Sequence, residues 1–112
     1  MKLVTAIVQP HRLADVQLAL AMHGVSGMTI SEASGYARQH GHSEIYRGEE
    51  FTIDFVLKVK VEILVADHDF EEVVSVVADA ARTGEIGDGK IWVTTVDEVV
   101  RIRTGEKGEV AV

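Results

Sequence analysis

Cysteine is absent from this 112-residue chain, and proline occurs once, at Pro10. Without cysteine there is no disulfide, no thiol nucleophile and no Cys-based zinc site, so any chemistry must use other residues. Nor is there an apolar run of the roughly 18 residues that a membrane-spanning helix needs. Residues 1–6 lack the charged, apolar and cleavage segments of a secretory signal, so a cytoplasmic location is expected. Basic residues are scarce as well: 11 Lys and Arg face 18 Asp and Glu, a formal charge of 11 − 18 = −7. That field opposes non-specific attraction to nucleic acid or anionic lipid, and no nucleic-acid partner is expected. What is present is 46% hydrophobic residues, enough for one modest core. Residues 1–112 read as a single domain of a size that often gains stability by association.

Residues 3–8 are rich in β-branched side chains and stop at Pro10, which cannot donate to a ladder; they predict a first strand. Over residues 11–23, Leu13, Val16 and Leu20 recur at helical spacing, Asp15 sits in the first turn and Gly24 supplies a left-handed stop, predicting a helix. Residues 28–33 alternate after the turn pair Ser26-Gly27 and predict a second strand. The clearest strand covers residues 53–66, with Leu57, Val59, Val61, Ile63 and Val65 on one face and Lys58, Lys60, Glu62 and Leu64 on the other. Asp69 and Glu72 have the spacing of a capping box, and Phe70, Val73, Val74, Val77 and Ala81 form a helical stripe that ends at Gly84. Residues 90–96 and the alternating residues 98–104 predict two further strands, the last one short, and the polar tail of residues 105–112 is expected to be mobile. Residues 35–54 keep no period. A loop of about 20 residues in so small a domain is more often a binding loop than a connector, with a hairpin extension as the plainer alternative.

This order is the split βαβ pattern of the α+β, ferredoxin-like sandwich. Two helices cover only one face of such a sheet. The other face would carry Lys58, Lys60, Glu62, Arg101 and Arg103 among apolar neighbours, a mixture suited to a wet subunit interface or a ligand cleft.

The Gly-rich stretch Thr83-Gly84-Glu85-Ile86-Gly87-Asp88-Gly89-Lys90 joins the second helix to a strand. Glycines there let backbone N–H groups approach a phosphate, with Lys90 adding charge; the alternative is an ordinary turn that needs positive φ. It is not a P-loop, which ends in Gly-Lys-Ser/Thr and opens a helix. Arg38, Arg47, Lys58, Lys60, Arg82, Lys90, Arg101 and Arg103 all fall in or beside the long loop, this turn and the charged face, which describes either an anion pocket or strand charges paired with Glu62, Asp88 or Glu98. His40-Gly41-His42 fits solvated loop histidines or a metal site, and no nucleophile with its base is identifiable from spacing.

Two blocks carry a family resemblance: residues 39–48, Gln39-His40-Gly41-His42-Ser43-Glu44-Ile45-Tyr46-Arg47-Gly48, and residues 83–93, the Gly-rich turn continuing into Ile91-Trp92-Val93. Together they resemble the PII signal-transduction family, in register from Met1 to Glu106. The resemblance implies a trimer of ferredoxin-like subunits that binds ATP or ADP competitively in its clefts, senses 2-oxoglutarate with Mg-ATP, and contacts clients through a T-loop at about residues 37–55. Gly87, Asp88, Gly89 and Lys90 would cradle phosphates beside Arg38, with Arg101 and Arg103 reaching in from a neighbouring subunit. Ile7, Gly27, Met28, Thr29, Glu62 and Leu64 would surround adenine and ribose, and Gly35, Ala37 and Gln39 complete the nucleotide set. Gln39 would help hold Mg2+, and Ala37, Gln39, His40, Gly41 and Lys58 would hold 2-oxoglutarate, Lys58 by pairing with a carboxylate. Tyr46, Arg47, Gly48, Glu49, Glu50 and Phe51 would meet clients such as an ammonium transporter, the chain touching a membrane only through such a partner. The resemblance implies a regulator, not an enzyme, with slow ATP hydrolysis at most incidental.

Departures from the family pattern are equally specific. Phe51 stands where many members carry a modifiable tyrosine, and it has no hydroxyl to uridylylate or adenylylate. Glu49 occupies the position at which some relatives carry a phosphorylated serine. Ala37 replaces a frequent Gly beside the 2-oxoglutarate site, Leu57 a frequent Pro, and Gln9 and His11 the usual Lys and Phe around Pro10. These changes motivate a rival, a diverged adenylate sensor without a 2-oxoglutarate response that acts on a carbon, bicarbonate or other transporter. Further rivals are a metal-binding trimer using His40 and His42, and a small enzyme.

Overall fold

Alternation of β-branched side chains builds three of the four main strands, and two helical stripes supply the layer that covers them. The computed structural model describes residues 1–38, 44–46, 49–51 and 53–112, with side chains outside residues 37–54. The elements are β1 (Lys2–Val8), α1 (Leu13–His23) after a 3-10 turn at Pro10–Arg12, β2 (Thr29–Arg38), β3 (Glu44–Tyr46), β4 (Glu49–Phe51), β5 (Ile53–Val65), α2 (Phe70–Ala81) and β6 (Lys90–Thr95). The main sheet has the order β2-β5-β1-β6, and every neighbouring pair is antiparallel. That is the ferredoxin-like α+β arrangement. β3 and β4 pair separately, Glu44 with Phe51 and Tyr46 with Glu49.

The core lies between the sheet and the helices. Val4, Ala6 and Val8 of β1 and Val59, Val61, Ile63 and Val65 of β5 are buried against Val16 and Leu20 of α1 and Val73, Val77 and Ala81 of α2. Burying each larger side chain contributes about 1.5–3 kcal/mol. α1 stops where Gly24 takes φ +101° and its N–H bonds to the Ala21 carbonyl at 3.1 Å.

Three details differ from the sequence reading. β2 continues to Arg38 and pairs with β5 through Arg38 and Ile53, so the plainer alternative, a hairpin extension, holds at the base of the long loop. This half of the ladder has no apolar alternation because Ser34, Gly35, Tyr36, Phe55 and Leu57 are all exposed, and burial is what creates that signal. The Asp69 side chain does not cap α2; it accepts a hydrogen bond from His23 instead, and α2 ends at Ala81. Residues 98–104 are not a strand but a closed loop with one isolated bridge, Val100 to Lys107. They alternate with no strand among the described residues to pack against: Ile102 is 98% exposed, and Arg101 and Arg103 belong to none of the four strands of the main sheet. The tail carries a 3-10 turn at Gly108–Ala111, and Arg101 donates to the Val110 carbonyl at 2.9 Å.

Candidate functional site

The turn between α2 and β6 is organised by one carboxylate. Asp88 accepts from the Thr83 hydroxyl, from the backbone N–H groups of Thr83 and Gly84 at 2.9 Å each, and from Gln9 Nε2 at 3.1 Å. These donors, the Thr83 hydroxyl foremost and then its N–H, favour the ionised form and hold the Asp88 carboxyl down to about 2. Its oxygens are thus committed to shaping the turn, leaving Lys90 and the backbone to meet an anion. Gly89 has φ +105°, and a Cβ there would lie 1.7 Å from the Ile7 carbonyl oxygen, so only glycine lets the turn lie against β1. From β5, Lys58 Nζ donates to the Gly87 carbonyl.

On the helix-free face, strand register sets the side chains in rows. Ser31, Lys60, Ile7 and Lys90 form one row, and Thr29, Glu62, Thr5 and Trp92 the next, Leu64 and Leu3 lying beyond. Lys60 and Glu62 approach to 3.8 Å across the two rows. Gly27, Met28, Thr29, Glu62 and Leu64 all border one open cleft of about 910 Å³. Ile7, Asp88, Gly89 and Lys90 border a second cavity of about 230 Å³, next to Arg82 at the end of α2. The structure therefore brings the residues assigned to adenine and ribose together, apart from Ile7, and gathers the phosphate-turn residues with Ile7 and Lys58.

Arg101 joins neither group. Its guanidinium donates to Glu106 at 3.0 Å and to the Val110 carbonyl, and Arg103 is exposed. Local pairing accounts for other cations too: Arg82 lies 3.6 Å from Asp79 and Lys107 lies 3.8 Å from Glu98. Gly35, Ala37 and Arg38 sit on β2, opposite Val56, Asp54 and Ile53. Tyr46, Glu49, Glu50 and Phe51 belong by backbone to the β3–β4 hairpin. Gln39, His40, Gly41, His42, Arg47 and Gly48 lie outside the described residues, as does any metal reading of the His40–His42 pair.

Sequence reasoning missed the second-layer groups. Gln9, bonded to Asp88 and to His11, and the tail residues Glu109 and Val112, which border the larger cleft, gave no periodic signal. Thr83, five residues before Asp88, carried a local one in the hydroxyl-to-carboxylate spacing of a tight turn. Among the described residues, His23, Asp69 and Glu72 also converge: His23 Nε2 lies 3.0 Å from Asp69 and 3.9 Å from Glu72, tying the end of α1 to the start of α2.

Fold and turn together define a ferredoxin-like α+β protein whose glycine-rich turn, flanked by Lys58 and Lys90, borders the smaller cavity. A family model described as "Nitrogen regulatory protein P-II" matches residues 1–106. The chain is 54% identical over 112 residues to "Nitrogen regulatory protein P-II" of Microchaete diplosiphon, covering 100% of both chains. It is 52% identical over 108 residues to the protein of the same name from Rhizobium meliloti strain 1021, with 96% of each covered. It is 50% identical over 111 residues to "Nitrogen regulatory protein GlnK" of Escherichia coli K12, with 99% of each covered. The chain belongs to the P-II nitrogen regulatory family and is a regulatory signalling protein. No helix among the described residues is long and apolar enough to cross a membrane.

Proposed function

We propose that this protein is a cytoplasmic, homotrimeric sensor that binds ATP or ADP with Mg2+, responds to 2-oxoglutarate, and passes the bound state to nitrogen-metabolism clients such as an ammonium transporter through its T-loop. The observation that carries this reading is the turn of residues 83–90, where Asp88 fixes the backbone, Gly89 closes against Ile7, and Lys90 stands beside the cavity. Positive-φ glycines with flanking lysines suit a polyphosphate. In the trimer, the cleft residues Gly27, Met28, Thr29, Glu62 and Leu64 of one copy face the phosphate turn of the next, with Arg101 and Arg103 reaching in. Gln39 holds Mg2+, and Ala37, Gln39, His40, Gly41 and Lys58 hold 2-oxoglutarate. Ligand state then biases the T-loop, and a client reads Tyr46, Arg47, Gly48, Glu49, Glu50 and Phe51 by differential affinity. Any ATP hydrolysis is slow and incidental.

A second reading, adenylate sensing without 2-oxoglutarate and for a different transporter, is favoured by Lys58, whose ammonium is already bonded to the Gly87 carbonyl. A ligand carboxylate has to compete with that bond. Sedimentation combined with ATP and ADP titration tests the shared core of both readings. A particle of three 12.2 kDa chains that binds both nucleotides competitively is expected. A monomer without nucleotide affinity contradicts it.

A further inference from the structure

Asp88 is held by local donors on one side and, on the other, by a side chain 79 residues away, Gln9, which follows β1. The orientation of the Gln9 amide is determined by its bonds. Nε2 is spent on Asp88 Oδ1 at 3.1 Å, so Oε1 faces His11 Nε2 at 2.9 Å, and since an amide oxygen only accepts, the histidine nitrogen is the donor. Protons therefore point one way along the chain, His11 to Gln9 to Asp88, and the carboxylate receives them together with those of Thr83 and Gly84. Aligned donors of this kind polarise one another and hold a geometry more firmly than isolated bonds do.

We infer that Gln9 is a positioning residue for anion recognition: through Asp88 it sets the spacing of the 83–90 turn against β1, and with it the phosphate affinity of the site. This rests on the adenylate reading above. Three contacts hold the turn to β1 and its end, the Gly89 backbone against the Ile7 carbonyl, the Ile7–Lys90 pair of the β1–β6 ladder and Gln9 against Asp88, while Lys58 ties the Gly87 carbonyl to β5. The first is a steric stop, which limits approach but does not pull. Among the described residues, Gln9 supplies the one bond to the Asp88 carboxylate from outside the turn, and its donated N–H offsets part of the charge that would repel an incoming anion. A donor at position 9 is what the geometry needs. Leucine removes it, glutamate sets a second carboxylate against Asp88, and lysine restores a donor.

The test compares ATP with adenosine, which lacks the phosphates, on the wild-type protein and on Gln9→Leu, Gln9→Glu and Gln9→Lys, while amide NMR shifts of Thr83 and Gly84 report the turn without any ligand. Losing one hydrogen bond that shapes a charged-ligand loop corresponds to about a five- to tenfold loss of ATP affinity. That loss is expected for Leu and Glu, with adenosine affinity unchanged, displaced Thr83 and Gly84 amides, and recovery of both signals in Gln9→Lys. Unchanged ATP affinity in Gln9→Leu overturns the inference, as does an equal loss for adenosine, which would mark a general structural role. If wild-type protein binds no ATP, the adenylate reading fails. Amides that still move in Gln9→Leu and recover in Gln9→Lys then show that failure to be separate from the positioning role.

Discussion

A Cβ on Gly89 would sit 1.7 Å from the carbonyl oxygen of Ile7, so the glycine-rich turn rests on β1 with no room for a side chain. Gly89→Ala must push the turn away while also holding alanine at φ +105°. The expected cost is about 1–3 kcal/mol of stability, read as a lower urea midpoint, together with loss of ATP affinity. A variant with wild-type midpoint and affinity contradicts this packing.

Asp88 makes the same turn sensitive to acid. Its carboxyl lies at about 2 when folded against an ordinary 3.8, so the ionised form is favoured by the native state. The sign follows: this contribution is fully present above roughly pH 4 and is lost as pH falls through about 2. Asp88→Asn is expected to flatten the decline of stability between those limits. Urea midpoints measured across the acid range check it, and an unchanged slope in the Asn variant contradicts it.

Much of this architecture was legible in sequence, and the exceptions have physical causes. β5 and α2 announce themselves because Val59, Val61, Ile63, Val73 and Val77 are buried at the strand and helix periods. The outer half of β2 does not, since Ser34, Gly35 and Tyr36 are all exposed whichever way they point. The Asp69–Glu72 capping box fails because His23, 46 residues away, competes for Asp69, and local spacing is blind to such a partner. Residues 98–104 alternate like a strand but pair with no strand among the described residues, so pattern alone misleads. At the site, Gly87, Asp88, Gly89 and Lys90 declare a turn locally. The grouping of Gly27, Met28 and Thr29 with Glu62 and Leu64 needs the β2–β5 register, which spacing along the chain does not contain.

His23 and Asp69 couple the two helices. Removing either is expected to cost about 0.5–1.5 kcal/mol, and the double variant little more than one single change, because they share one bond. A double-mutant cycle on His23→Ala and Asp69→Asn measures the coupling. Strict additivity contradicts it.

Phe51 offers no phenolic oxygen to a nucleotidyl transferase. Treatment with a uridylyl or adenylyl transferase active on tyrosine-bearing relatives is expected to leave the mass of the Phe51 peptide unchanged, whereas Phe51→Tyr supplies an acceptor. A nucleotide adduct on the wild-type Phe51 peptide contradicts the prediction, and one on Tyr46 or Ser43 places the modification elsewhere in the loop.

The central claim is a coupling between ligands, and calorimetry of Mg-ATP and Mg-ADP binding with and without excess 2-oxoglutarate measures it directly. Linkage requires that if 2-oxoglutarate binds preferentially with Mg-ATP, it tightens Mg-ATP by the same factor that Mg-ATP tightens 2-oxoglutarate, typically about 5- to 150-fold. The account predicts such tightening for Mg-ATP and none for Mg-ADP. Equal affinities with and without 2-oxoglutarate contradict it and leave the adenylate sensor in its place.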